Sequence, residues 1–308
     1  MNARTFLASE ASDVPMYMSI VETIMPSMPY DPSRVALDSP QLRETVFVPG
    51  AEYDEVALSV ELARLAYVHY EDHDAGLARL KEALGRVRFD DVTLFEDAAT
   101  GTQGFGASRS SDGLCVLAFR GTEPTRLTDL GADLAFTLTD WTEKAGRVHK
   151  GFAGAARSVL PEVKQWLEQT QAARKRLIVT GHSLGAAIAT LYASLIAPDR
   201  LITIGSPRVG DAAFVATLAG IDMMRLVDCC DVVTKLPPEV GGYVHAGDAA
   251  YLTREGVLAS SRDEAFLRDD RTAAREEYLL HYAWKTGNVV VRDLADHAPI
   301  NYVRCFMP

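Results

Sequence analysis

The chain has 308 residues, 48% of them hydrophobic and 24% charged, with 22 Gly and 14 Pro. These proportions exclude collagen-like, low-complexity and largely disordered readings, and the length suits one large α/β domain or two small ones, either able to bury a sizeable core. A formal charge of −11, from 42 acidic against 31 basic residues, repels phosphate backbones and anionic headgroups and argues against a nucleic-acid partner. The densest basic run, Arg174-Lys175-Arg176, reads as a solvated helix end.

No transmembrane segment is expected. The longest apolar stretch, Ala186 to Ala197, contains Thr190, Tyr192 and Ser194 and falls short of the ~20 residues that span a bilayer. The N-terminus has one basic residue, Arg4, but meets Glu10 and Asp13 before any apolar run, so it does not read as a secretory signal. Cys115, Cys229, Cys230 and Cys305 lack C-x-x-C spacing, and an adjacent pair bridges poorly to itself. They read as reduced thiols in a cytoplasmic protein.

Along the chain, residues 1–50 carry five of the eight methionines and no sustained period, and are expected to form an extension wrapped on the domain. Residues 51–308 are read as a single domain, without internal repeat or linker. From Asp54 the spacing of Leu58, Leu62 and Leu65 predicts a helix. Thr102 to Ser108 and Leu114 to Phe119 predict two strands about the turn Arg109 to Gly113. A helical stretch from Gly151 to Ala173 contains Pro161, which suits the first turn of a new helix. Then come a strand (Leu177 to Thr180), a helix (Ser183 to Ala197), a strand (Leu201 to Gly205), a helix (Phe214 to Ala219) and a strand (Met223 to Val227). Short β-rich runs alternating with helices predict an α/β fold, a mainly parallel sheet with helices on both faces.

The sharpest local feature is Gly181-His182-Ser183-Leu184-Gly185, a G-x-S-x-G between a strand and a helix. A nucleophile elbow needs that strand-to-helix turn, and glycines where a Cβ would collide with sheet and helix. Ala186, Ala187 and Ala189 offer a small-residue face for close packing, and the helix N-terminus points its positive end at any oxyanion beside Ser183. The plain alternative is a serine capping an ordinary βα unit. A serine nucleophile needs a base oriented by a carboxylate, and in this arrangement the order is Ser, acid, His. Three histidines follow: His245 on an expected strand, His281 on a helix or strand, and His297 in a loop before a last helix. Asp228 and Asp231 both follow the strand Met223 to Val227, and Asp231 lies further into the loop.

These segments resemble the class 3 lipases, the fungal-type triacylglycerol lipase family of α/β-hydrolases. Phe119-Arg120-Gly121-Thr122 is similar to the family's F-R-G-[ST], Val148-His149-Lys150-Gly151-Phe152 to its V-H-x-G-F, and Thr180 to Ala187 to its elbow. Gly205 to Asp211, Asp231-Val232-Val233 with Leu236-Pro237-Pro238, Tyr243 to Asp248, and Asp296-His297 through Tyr302 resemble the remaining blocks, so the likeness covers about residues 100–305. The resemblance implies an α/β-hydrolase fold with Ser183 as nucleophile, Asp231 as acid and His297 as base. It implies an oxyanion hole formed by the backbone N–H groups of Thr122 and Leu184. It also implies a mobile lid at about 123–140, where Leu127, Leu130 and Leu134 form an apolar stripe; the alternative is a short helix fixed on the core.

The expected activity is serine carboxylic-ester hydrolysis, most simply of acylglycerols, with no metal or organic cofactor. Expected partners are a lipid or small ester substrate and transient contact with a lipid interface. Other readings are a phospholipase A1, thioesterase or feruloyl esterase, or a lipase-like binding protein without catalysis. The remaining candidates read as structure: His149 and His182 as packing residues, His69 and His73 as a surface pair, Gly101, Gly104 and Gly106 as a hairpin or bulge. Trp141, Trp166 and Trp284 read as core or rim aromatics, and Cys229 and Cys230 as small buried hydrophobes.

Overall fold

A computed structural model describes residues 28–68, 74–121, 136–261 and 263–307. His69 and His73, Thr122 and the three lid leucines lie outside the described residues.

Among the described residues, seven strands form the main sheet: β1 (Asp91–Asp97), β2 (Thr102–Arg109), β3 (Leu114–Phe119), β6 (Arg176–His182), β7 (Arg200–Ile204), β8 (Met223–Asp228) and β9 (Ala249–Leu252), in the order β1-β2-β3-β6-β7-β8-β9. β1 to β3 pair antiparallel, and β3, β6, β7, β8 and β9 run parallel. Two short strands, β4 (Leu138–Asp140) and β5 (Arg147–His149), form a separate antiparallel pair. β4 covers the last three residues of the expected lid range.

Helices cover both faces. On one side lie α1 (Arg34–Asp38), α2 (Glu55–Leu65), α3 (Asp74–Arg86), α9 (Arg292–Ala295) and α10 (Pro299–Val303). On the other lie α4 (Lys150–Ser158), α5 (Leu160–Thr170), α6 (Leu184–Ile196) and α7 (Ala212–Ala216), while α8 (Glu264–His281) packs beside β9 through Ala274. Alternation along the strands feeds two cores: Ile178, Val116 and Ala118 point into the first, Leu177, Val179, Leu117 and Phe119 into the second. α6 is buried from Gly185 to Ser194 between sheet and α4, which is why its sequence carries no amphipathic stripe.

Local chemistry sets the boundaries. The Asp54 side chain caps α2 by accepting from the Ala57 N–H, and Pro161 occupies the first turn of α5, as expected. The region expected as one helix from Phe214 is the shorter α7, started earlier by Asp211, whose side chain accepts from Phe214 N–H. The segment around His245 is not a strand; Val244 makes only an isolated bridge to Gly210. Residues 28–50 dock through named contacts: Asn301 exchanges two 2.9 Å hydrogen bonds with the Asp31 backbone. Arg64, buried on α2, pairs with buried Glu61 at 2.6 Å and donates to the carbonyls of Pro40, Arg43 and Glu44. Trp141 and Trp166 are core residues, whereas Trp284 is 72% exposed.

Candidate active site

β6 runs into α6 through Ser183, which adopts φ 58° and ψ −126°. A non-glycine residue in that region carries a cost of about 1–3 kcal/mol, and such strain concentrates at functional turns. The glycines make the turn possible: a Cβ on Gly181 would lie 2.3 Å from the Gly185 carbonyl oxygen, and one on Gly185 would lie 2.0 Å from that of Phe119. The turn is pinned to the next strand by the Ser183 N–H, which donates to the Ile204 carbonyl at 3.0 Å. Leu184 begins α6, so its N–H belongs to the open first turn of that helix.

Three residues separated by up to 114 positions meet here. The Ser183 hydroxyl lies 2.9 Å from His297 Nε2, and His297 Nδ1 lies 2.8 Å from Asp231 Oδ2. All three are buried. Asp231 cannot act as a donor when ionised, so Nδ1 carries the proton toward it and bare Nε2 accepts from Ser183. The Asp231 carboxylate is held on both oxygens: Val233 N–H donates to Oδ1 at 2.9 Å, and Tyr302 hydroxyl to Oδ2 at 2.6 Å. The same Tyr302 oxygen accepts from Asp228 N–H at 3.0 Å.

Asp228 therefore sits behind the site rather than in it. Its side chain is fully buried with no hydrogen-bond partner, and burial together with the Asp296 carboxylate pushes its carboxyl well above the usual range. Of the other two histidines, His281 ends α8 at the surface. His245 is held near 3 by burial and by Arg225 and Arg208, so it is neutral but has no contact with Ser183.

Asp296 accepts from Tyr30 hydroxyl at 2.7 Å, from Cys230 N–H at 2.9 Å and from Arg292 Nε at 3.1 Å. It thereby ties the loop before His297 to the loop before Asp231. His149 caps α4, accepting from Phe152 N–H at 3.4 Å, and burial lowers it to about 4. Cys229, Cys230 and Asp296 offer ligand atoms within 4.8 Å of one another. Asp296 is already engaged by Arg292, and both thiols are buried, with Cys229 pushed up by Cys230 and by desolvation. That donor set suits packing better than a cation.

An elbow serine, a histidine and a buried carboxylate in that sequence order, on a mainly parallel sheet with two helical layers, define an α/β-hydrolase site of the serine type. Residues 116–241 match the family model described as "Lipase (class 3)". The lipase of Rhizomucor miehei is 36% identical over 166 residues, covering 49% of this chain and 45% of that enzyme. The "Secreted mono- and diacylglycerol lipase A" of Penicillium cyclopium is 33% identical over 174 residues, covering 54% and 55%. A solved structure titled "A serine protease triad forms the catalytic centre of a triacylglycerol lipase" superposes with TM-score 0.53 at 28% identity, over 64% of this chain and 77% of that one. The chain spans about half the length of the curated relatives it matches. The printed name of the secreted relative lends no support to the cytoplasmic reading, and among the described residues no helix is long and apolar enough to cross a membrane.

Proposed function

We propose that this chain is a serine carboxylic-ester hydrolase acting on acylglycerols. The observation that carries the reading is the continuous hydrogen-bonded line Ser183 Oγ, His297, Asp231, at 2.9 and 2.8 Å, on a strained elbow. In this reading His297 Nε2 removes the Ser183 proton as Oγ attacks the ester carbonyl. Asp231 holds the imidazole tautomer and stabilises the imidazolium. The N–H groups of Leu184 and, by resemblance, Thr122 bind the tetrahedral oxyanion. Collapse expels the alcohol, which takes its proton from His297, and leaves an acyl group on Ser183. Water, deprotonated by His297, then attacks the acyl carbon and releases the acid. No step draws on a metal or organic cofactor.

The proposal includes the domain layout, with residues 1–50 as an extension, 51–308 as the hydrolase domain and about 123–140 as a lid that contacts the lipid interface. The names of the relatives support acylglycerols as substrate and an extracytoplasmic setting. The deciding experiment is a hydrolysis panel of mono-, di- and triglycerides, phospholipids and p-nitrophenyl esters from acetate to palmitate. Turnover of glycerides that disappears in Ser183→Ala is expected; turnover confined to phospholipid or to acetate would replace the substrate class, and none at all would remove the enzyme reading.

A further inference from the structure

His182 is the variable residue of G-x-S-x-G, and nothing in its spacing marks it as more than packing. Both nitrogens of its ring are nonetheless engaged. Nε2 lies 2.9 Å from the His297 carbonyl oxygen, and Nδ1 lies 2.8 Å from the Tyr67 hydroxyl. A carbonyl can only accept, so Nε2 carries the hydrogen and Nδ1 is the bare nitrogen. Tyr67 must then donate to Nδ1, and its oxygen in turn receives the Gly121 N–H. Every polar atom of the ring and of the tyrosine is thereby used. His182 is 2% exposed, and its ring packs at a tilt of 34° against that of His297 with centroids 4.5 Å apart.

The chain of contacts joins three parts of the site that come from different elements. Gly121 follows β3 and precedes the expected oxyanion residue; Tyr67 follows α2; His182 is the last residue of β6. His297 occupies the short link between α9 and α10, and its N–H is held by the Leu294 carbonyl. Its carbonyl would be a loose end of that link without His182. His182 and Ser183 are consecutive, so the main chain of the base is fastened one peptide away from the nucleophile.

We infer that His182, oriented by Tyr67, is a positioning residue that anchors the backbone of His297 and keeps Nε2 aligned with the Ser183 hydroxyl. The inference rests on the reading of His297 as general base. Burial and the neighbouring His297 hold His182 well below the ordinary histidine range, so it anchors as a neutral donor and adds no positive charge beside the imidazolium formed in the reaction. Misplacement of a reacting group by about 1 Å costs on the order of 10²-fold.

The test compares His182→Phe, His182→Gln and Tyr67→Phe with the wild type on soluble p-nitrophenyl butyrate, with thermal melts to verify folding. His182→Phe should lower kcat by about 10²-fold with KM changed by less than about 2-fold. Gln offers an N–H to the carbonyl and an oxygen to Tyr67, and should restore kcat to within about 10-fold of wild type. Tyr67→Phe should lower kcat by less than His182→Phe. Equal losses in Phe and Gln variants, or wild-type kcat in a folded His182→Phe, would overturn the inference. A second readout needs no turnover: the downfield proton resonance of His297 Nδ1–H should move or broaden in His182→Phe and return in His182→Gln. An unmoved resonance would also overturn it. If the wild type turned over no ester, the hydrolase reading would fall while this resonance still decided the anchoring.

Discussion

Gly185→Ala isolates the close approach on which the elbow depends. The added Cβ would lie 2.0 Å from the Phe119 oxygen, 2.6 Å from its carbonyl carbon and 2.8 Å from the Arg120 carbonyl carbon. All three are backbone atoms, so no side chain can swing aside, and α6 must retreat from the end of β3 by about 1 Å to reach a tolerable contact. Overpacking of this kind costs about 1–3 kcal/mol of stability. The larger effect is catalytic: Ser183 immediately precedes the first residue of α6, and a displacement of about 1 Å lengthens its contact with His297 beyond hydrogen-bonding range. The expected loss is about 10²-fold in kcat with KM little changed. The assay is hydrolysis of p-nitrophenyl butyrate beside a urea melt. Gly154→Ala is the control, since a Cβ on that helical glycine meets nothing within 4 Å; it should keep full activity and gain up to about 1 kcal/mol. Wild-type kcat and stability in Gly185→Ala would refute the steric argument.

Glu61→Ala should destabilise by about 3–5 kcal/mol in a urea melt, because it strands the buried Arg64 guanidinium. His149 is held at about 4 in the fold, so protonation favours the unfolded chain. Its contribution is complete above the ordinary value of 6.5 and is lost as the pH falls from there toward 4, by on the order of 2 kcal/mol after partial solvent screening. His149→Asn, which keeps a capping acceptor without the titration, should show a smaller loss over that interval by parallel melts. Leu130→Asp should depress hydrolysis of emulsified tributyrin more than that of soluble p-nitrophenyl acetate; equal losses would remove the lid.

The parts of the fold that the sequence makes legible are those where one physical demand dominates. β3 is a fully buried apolar run, β6 is buried from Leu177 onward with Ile178, Val179 and Thr180 at its centre, and the elbow needs glycine at two places for steric reasons alone. β9, with the sequence AAYL, has no β-branched residue and is recruited by pairing along β8 rather than by propensity. β1 is bounded by aspartates and half exposed, which masks its alternation. α8 is charged along most of its length and buries only Ala274 and Tyr278. Within the site, Ser183 is readable from local spacing, whereas loop position only favours Asp231 over Asp228 and His297 over His245 and His281, and the resemblance is what implies their roles. Tyr67, Tyr302, Tyr30 and Asp296 act through contacts across 66 to 266 positions, and no local pattern encodes such contacts.

The most direct test of the central claim is covalent. The wild type and His297→Ala are treated with a fluorophosphonate, and the labelled peptide is identified by mass spectrometry. The account predicts a single adduct on Ser183 in the wild type, formed on the order of 10⁴-fold more slowly in His297→Ala because the serine has lost its base. An adduct on another residue, or labelling of His297→Ala at the wild-type rate, would contradict it.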